Sequence, residues 1–263
     1  MPPLPKLLVI DLDGTSLGGG YEPYGRFPDA YSAFLDRLDA AGCRWAINTA
    51  WDALGQWHLL KSSAVKSRPL YFMAELGCRL WTPGDAGPVS VEPFNAAMEK
   101  RLAEANATGL IPFMRDMAAR FTPARLNYYG HWFDMTCIPQ ETRAFCAHVE
   151  AVDWNARGLS LYGHKENRIS VVPGFLGKHA NLGEVLRLRG YKPEEVVVAG
   201  DERADLAMMR PELSRHHLCP ENAHADVKAH VEKNGGAVGT LGFSDGVMEA
   251  FHRLAARNGW VLP

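Results

Sequence analysis

The sequence holds no C-x-x-C pair, and its five cysteines (Cys43, Cys78, Cys137, Cys146 and Cys219) form an odd, scattered set. A disulfide framework or a cysteine-rich zinc centre is therefore not expected. Long apolar runs are lacking as well: no stretch approaches the roughly 18–20 residues that a membrane-spanning helix requires. The N-terminal MPPLPKLLVID carries one Lys and only Leu7 to Ile10 as an apolar run, too little for a signal peptide. Excess charge of either sign is missing too, since 28 Lys and Arg against 30 Asp and Glu leave a formal charge of −2. No global positive field draws such a chain to nucleic acid or anionic lipid, so an anionic ligand must be caught by a local site. Repeats, low-complexity tracts and blocks of like charge are also absent. The expectation is a cytoplasmic protein with no nucleic-acid and no membrane partner.

What is present is a chain of 263 residues, enough for a core with an inserted second unit. Lys6 to Ile10 reads as a buried parallel strand that ends abruptly at Asp-Leu-Asp-Gly-Thr. Apolar positions at Tyr31, Phe34, Leu35 and Leu38 have helical spacing over 28–41, and Gly42 stops that helix. A strand over Arg44 to Asn48, a helix over Asp52 to Leu60 and a strand over Leu70 to Ala74 follow. This alternation predicts an α/β fold with a parallel sheet.

The rhythm changes at Thr82 to Pro88, a Pro- and Gly-rich segment read as a linker. Beyond it a long helical stretch is expected over about 93–120, with strands at 124–129, 132–138 and 159–162 and a helix at 139–152. From Arg168 the α/β rhythm resumes, with strands at 169–172 and 195–199 and helices at 179–189 and 204–210. The expected layout is a catalytic core over 1–82 and 168–263 with an α+β insertion over 83–167.

Four pieces point to one site. Asp11 and Asp13 stand at a strand end, where open α/β sheets bind ligands. A carboxylate is ionised at neutral pH and attacks without a base, while a second one protonates a leaving oxygen and later activates water. Taken alone, the motif is equally an Asp-Gly turn after a strand. Thr49 ends the next strand, where its hydroxyl either meets a phosphate oxygen or caps the following helix. Lys178 follows a Pro-Gly-Phe-Leu-Gly loop and is either a phosphate clamp or a solvated surface group. Asp201 and Asp205, four residues apart after an apolar strand, either join an oxygen-rich Mg²⁺ site or complement a helix dipole. Together these parts supply nucleophile, metal and charge clamps for phosphoryl transfer.

These residues resemble the haloacid dehalogenase (HAD) superfamily, specifically its Cof-type hydrolase branch. DLDGT at 11–15, Thr49, Lys178 and GDERAD at 200–205 look like its four motifs. MAELGCRL at 73–80, the stretch 169–182, ENAHADVK at 221–228 and SDGV at 244–247 resemble further segments of that branch. The resemblance implies a Rossmannoid parallel-sheet core with a C2-type cap domain in the insertion, closing over the core. It implies Asp11 as the nucleophile of an aspartyl-phosphate, Asp13 as general acid/base, and Thr49 and Lys178 as ligands of the transferring phosphate. It further implies Mg²⁺ held by Asp11, the Asp13 carbonyl and Asp201, with Asp205 supporting the metal site. The expected activity is phosphatase action on a small phosphorylated metabolite, with sugar phosphates the leading class. The alternatives are a phosphomutase and a non-catalytic binding module that keeps the fold.

Three positions depart from the branch: Ala50-Trp51 stands where Gly-Arg is usual, His179 where Gly follows the Lys, and Ala204 where Asn is usual. Trp51 reads either as a platform for a sugar or apolar face, or as core filler. His216, His217, Cys219 and His224 read as a loop cluster of no common zinc spacing. Gly18-Gly19-Gly20 reads as a flexible connection or a phosphate cradle. Arg125, Tyr128, Tyr129, His131 and Trp132 read as filling for the sheet of the insertion, with substrate contact as the alternative.

Overall fold

The computed structural model describes residues 3–18 and 25–262. In chain order its main elements are β1 (Leu7–Ile10), α1 (Asp29–Ala40), β2 (Arg44–Asn48), α2 (Ala53–Ser62), β3 (Phe72–Ala74), β4 (Arg79–Pro83) and β5 (Pro88–Ser90). Then come α3 (Glu92–Ala105), α4 (Ile111–Arg120), β6 (Pro123–Tyr128), β7 (Phe133–Cys137), α5 (Thr142–Glu150), β8 (Leu159–Lys165) and β9 (Arg168–Pro173). The chain ends with α6 (Lys178–Arg189), β10 (Val196–Ala199), β11 (His216–Cys219), α7 (Ala225–Lys233), β12 (Ala237–Val238) and α8 (Phe243–Asn258). It divides into two compact units, Met1–Phe94 with Gly177–Pro263, and Asn95–Leu176.

The first unit is built on a sheet of order β12-β11-β10-β1-β2-β3-β4-β5. Its strands run parallel from β12 to β3, and β4 and β5 return antiparallel. β1 and β10 are apolar throughout because both faces of the sheet are covered there. Leu8 and Ile10 join one core cluster with Trp45 and Ile47, while Leu7 and Val9 join another with Ala46, Val196 and Val198. Period-two alternation thus splits one apolar run between two cores, as buried parallel strands require. Every strand from β12 to β3 consequently ends at the same edge of the sheet.

The second unit has a four-stranded antiparallel sheet of order β6-β7-β9-β8. Phe133, Met135, Ile169 and Val171 form its core with Phe113 and Met117 of α4 and Phe145 and Val149 of α5. Helices and antiparallel strands in one unit make it α+β.

Several boundaries differ from the sequence expectation. The expected linker at Thr82 to Pro88 is a hairpin, closed by a Gly84 N–H to Gly87 carbonyl bond of 2.9 Å and joining β4 to β5. A Pro-Gly segment serves a turn as readily as a linker. The strand over 169–172, expected in the core, pairs instead with β7 and β8, so the second unit runs over 95–176 rather than 83–167. The expected single helix over 93–120 is interrupted by a π-helical turn at Asn106–Leu110. The expected helix over 204–210 is a short 3₁₀ turn, Arg203–Ala207. His216, His217 and Cys219 lie in strand β11, not in a loop: His216 packs on Trp260 and His217 stacks on His230.

Tyr128 and Tyr129 are exposed rather than filling the second sheet, and Tyr129 stacks on Trp132 at 4.3 Å beside the β6–β7 turn. Gly19 and Gly20 lie outside the described residues. Gly18 is described, with the Phe243 ring where a side chain would stand. Among the described residues no helix is long and apolar enough to cross a membrane.

Candidate active site

β1 stops where its apolar run meets Asp11, and the chain turns back at once. The N–H groups of Thr15, Ser16 and Leu17 all donate to the Leu12 carbonyl, at 3.2, 2.8 and 2.8 Å. Gly14 makes this turn with φ +79, and a side chain there would run into the Asp201 carboxylate. Only glycine meets both demands without strain. The Ser16 hydroxyl donates to the Asp11 carbonyl at 2.7 Å and meets the Tyr31 hydroxyl at 3.1 Å, which anchors the turn to α1.

Lys178 is the first residue of α6 and is 4 % exposed. Its ammonium lies 2.6 Å from Asp11 Oδ1 and 2.5 Å from Asp205 Oδ1. The Asn48 amide at the end of β2 donates to the Lys178 carbonyl at 2.8 Å, which joins the second strand end to the same point. Asp205 is fully buried, and its other oxygen accepts the N–H groups of Asp201 and Glu202, each at 2.9 Å. The 3₁₀ turn after β10 is therefore folded around this carboxylate, which also holds the lysine. Asp201 accepts the Thr15 hydroxyl at 2.5 Å, and its carbonyl receives the His224 N–H at 2.8 Å.

Asp11, Asp201 and Asp205 place carboxylate oxygens within 4.8 Å of one another. Burial raises the Asp11 carboxyl to about 8 against the pull of Lys178, with Asp205 and Asp201 adding to the rise. Burial likewise raises Asp201 to about 7, opposed by the Thr15 hydroxyl. Three buried carboxylates face one buried ammonium, a formal surplus of two negative charges. Hard divalent cations seek such an all-oxygen, anionic set, so these residues fit a divalent metal ion.

The remaining expected residues fall as follows. Thr49 is buried at the end of β2, with its N–H on the Met73 carbonyl at 3.1 Å. It is not the cap of α2, because the Asp52 side chain takes that place by accepting the Gly55 N–H at 2.6 Å. Asp13 is exposed and stands apart from the buried trio. Its Oδ2 accepts the Trp51 indole N–H at 2.7 Å. Trp51 is thus neither plain core filler nor an unengaged platform.

The sequence reading missed Asn222. Its amide donates to the Gly14 carbonyl at 2.7 Å and its oxygen accepts the Phe243 N–H at 2.7 Å. Its one signal was position, just beyond β11 at the edge where the other strands deliver their polar ends.

No family model matches the chain, and no curated protein sequence matches it. Solved structures do. The sucrose-phosphatase of Synechocystis, solved with sucrose and phosphate, aligns over 96% of this chain and 98% of its own with TM-score 0.68 and 15% identity. A phosphatase of the HAD enzyme superfamily from Bacteroides thetaiotaomicron aligns over 97% and 96% with TM-score 0.61 and 15% identity. A haloacid dehalogenase-like hydrolase from Bacillus subtilis aligns over 95% and 90% with TM-score 0.57 and 14% identity. Each likeness spans nearly the whole of both chains, so it embraces both units and the sheet whose edge carries Asp11. The chain has the haloacid dehalogenase-like fold.

Proposed function

We propose that this chain is a Mg²⁺-dependent phosphatase that hydrolyses small phosphate monoesters through an aspartyl-phosphate on Asp11. The observation that carries the reading is the Asp11 carboxylate at the end of β1, 2.6 Å from a buried lysine and within 4.8 Å of two further buried carboxylates. A structural ion pair needs one carboxylate for one ammonium. The surplus acid suits a site built to meet a cation and a phosphate together.

In this reading an Asp11 oxygen attacks phosphorus while the bond from phosphorus to the ester oxygen breaks. Asp13 gives its proton to that leaving oxygen, releasing the alcohol. Asp13, now ionised, takes a proton from the water that attacks the aspartyl-phosphate, which frees inorganic phosphate and restores Asp11. Lys178 and the Thr49 hydroxyl bind the phosphoryl oxygens, and Lys178 is aimed by Asp205. Asp11, the Asp13 carbonyl and Asp201 would hold Mg²⁺, which when bound supplies positive charge against the phosphoryl group. Asp205 has both oxygens taken by protein donors, so its part is to position Lys178 and the loop rather than to ligate. The shared fold with phosphatases supports the reaction class, and the sucrose-phosphatase likeness makes sugar phosphates the first substrates to try.

The test is phosphate release from a panel of phosphorylated metabolites, with and without Mg²⁺, by wild type and Asp11→Asn. Metal-dependent turnover lost in the variant is expected. A folded wild type that releases no phosphate from any ester would overturn the reading.

A further inference from the structure

We propose that Trp51 is a positioning residue for the reaction above, its indole N–H holding the Asp13 carboxylate in place for proton transfer. The inference rests on the hydrolase reading, but its structural half stands on independent geometry. Asp13 is exposed, and among the described residues its side-chain hydrogen bond is the one from Trp51 Nε1, at 2.7 Å. An exposed carboxylate without such a partner samples several rotamers, and only some of them reach a leaving oxygen.

Trp51 is itself held firmly. Its ring is half-buried against the core cluster that contains Ile10, Ile47 and Trp57. Its carbonyl accepts the Glu75 N–H at 3.1 Å and the Gln56 side-chain amide at 3.3 Å. Glu75 and Leu76 reach this loop with φ of 53 and 57, left-handed values uncommon for residues with side chains. Trp51 is thus held by two donors at its carbonyl and by packing along its ring.

The chemistry of the donor fits the task. An indole nitrogen donates and does not accept, so it cannot take the proton that Asp13 must deliver. It occupies one carboxyl oxygen and leaves the other to carry the proton to the ester oxygen. The departing alcohol gains that proton as the bond between phosphorus and oxygen breaks, and Asp13 is left as a carboxylate beside the same N–H.

The experiment compares wild type, Trp51→Phe and Asp13→Ala on two substrates: the best alkyl phosphate found for wild type, and p-nitrophenyl phosphate. Nitrophenolate leaves without a proton, so a loss of acid positioning should be selective. In kcat/KM, Trp51→Phe should fall about tenfold on the alkyl ester and less than about threefold on the nitrophenyl ester. Equal losses on both substrates, or none on either, would overturn the proposal.

A second measurement does not depend on turnover. The protein has seven tryptophans, so the Trp51 indole N–H resonance can be assigned by its disappearance in Trp51→Phe. Asp13→Ala should move that resonance upfield, and an unmoved resonance would show that the bond does not form. A wild type lacking Asp11-dependent turnover would sink the hydrolase reading and the catalytic half with it, and the resonance would still decide the contact.

Discussion

The surplus of buried negative charge makes a thermodynamic prediction that needs no substrate. In the metal-free protein the Asp11 carboxyl is raised to about 8 and Asp201 to about 7, chiefly by burial, whereas unfolding returns both to the ordinary range near 3.8. A raised carboxyl keeps its proton in the folded state while the unfolded chain has lost it. The folded state then binds more protons, so stability falls as pH rises through this window and is greatest below it. One proton is worth about 1.4 kcal/mol per pH unit. From pH 6.5 to 8, with the carboxyl half ionised at the upper end, Asp11 alone should therefore remove about 1.6 kcal/mol, with Asp201 adding to the loss up to about pH 7. Both groups lose protons within this window, so the measured slope belongs to both. The window matters because His217, lowered to about 4 by burial, works in the opposite sense below pH 6.5. The assay is urea denaturation in EDTA between pH 6.5 and 8, repeated in saturating Mg²⁺ and with Asp201→Asn. Metal-free stability should fall with rising pH, Asp201→Asn should flatten the fall near pH 7, and Mg²⁺ should stabilise far more at pH 8 than at 6.5. Stability that rises across the window without metal, or an equal Mg²⁺ effect at both ends, would refute the reasoning.

Three further substitutions have defined outcomes. Gly14→Ala must force a side chain into φ +79 and against the Asp201 carboxylate. The left-handed cost of about 1 kcal/mol and a lost charged hydrogen bond of about 1.5–3 kcal/mol should destabilise it by about 2.5–4 kcal/mol in urea melts. Asp205→Asn keeps an acceptor for the loop but loses the charge facing Lys178, so denaturation should show about 2 kcal/mol or more lost. Its turnover of the best ester should fall at least about tenfold. Asp52→Ala removes the cap of α2 and should cost about 1 kcal/mol by the same melts while leaving Asp11-dependent turnover within about twofold.

The sheet that carries the site was legible because its strands are buried on both faces. A short unbroken apolar run before a polar residue, three residues long in 44–48 and four in 196–199, marks such a strand whatever surrounds it. That is why 44–48 was read to the residue and 196–199 to within one. Which sheet a strand joins is another matter. Arg168–Pro173 is as apolar as a core strand, and only its pairing with β7 and β8 places it in the second unit. The Pro-Gly segment 82–88 carried turn chemistry without saying whether a hairpin or a linker used it.

At the site, Asp11 and Asp201 were readable from strand ends, Asp205 from its spacing to Asp201 and Lys178 from the loop before it, and the structure brings them together. The division of labour among them was not readable. Helical spacing suggested that Asp201 and Asp205 would point at one centre; they do so from a 3₁₀ turn rather than a helix, and Asp205 also holds that turn together. The Trp51–Asp13 and Asn222–Gly14 contacts join residues distant in sequence, and no local pattern announces such pairs.

β1 lies in the middle of its sheet, between β2 and β10, and its hydrogen-bonding edge toward β10 waits for residues made far later. Thr15 and Asp201 are 186 residues apart. During synthesis β1 can pair with β2 early, yet its other edge stays open while the whole second unit is translated. That unit closes its own antiparallel sheet from consecutive stretches of chain, so its contacts are local and form without the rest. The topology therefore leads us to expect the inserted unit to fold before the central strand is completed, and the acidic cluster to form only once Asp201 and Asp205 have followed β10 out of the ribosome. Until then the chain carries an open apolar strand, and the interval in which it is most prone to aggregate is the one in which Asp11 has no Asp201 or Asp205 to face.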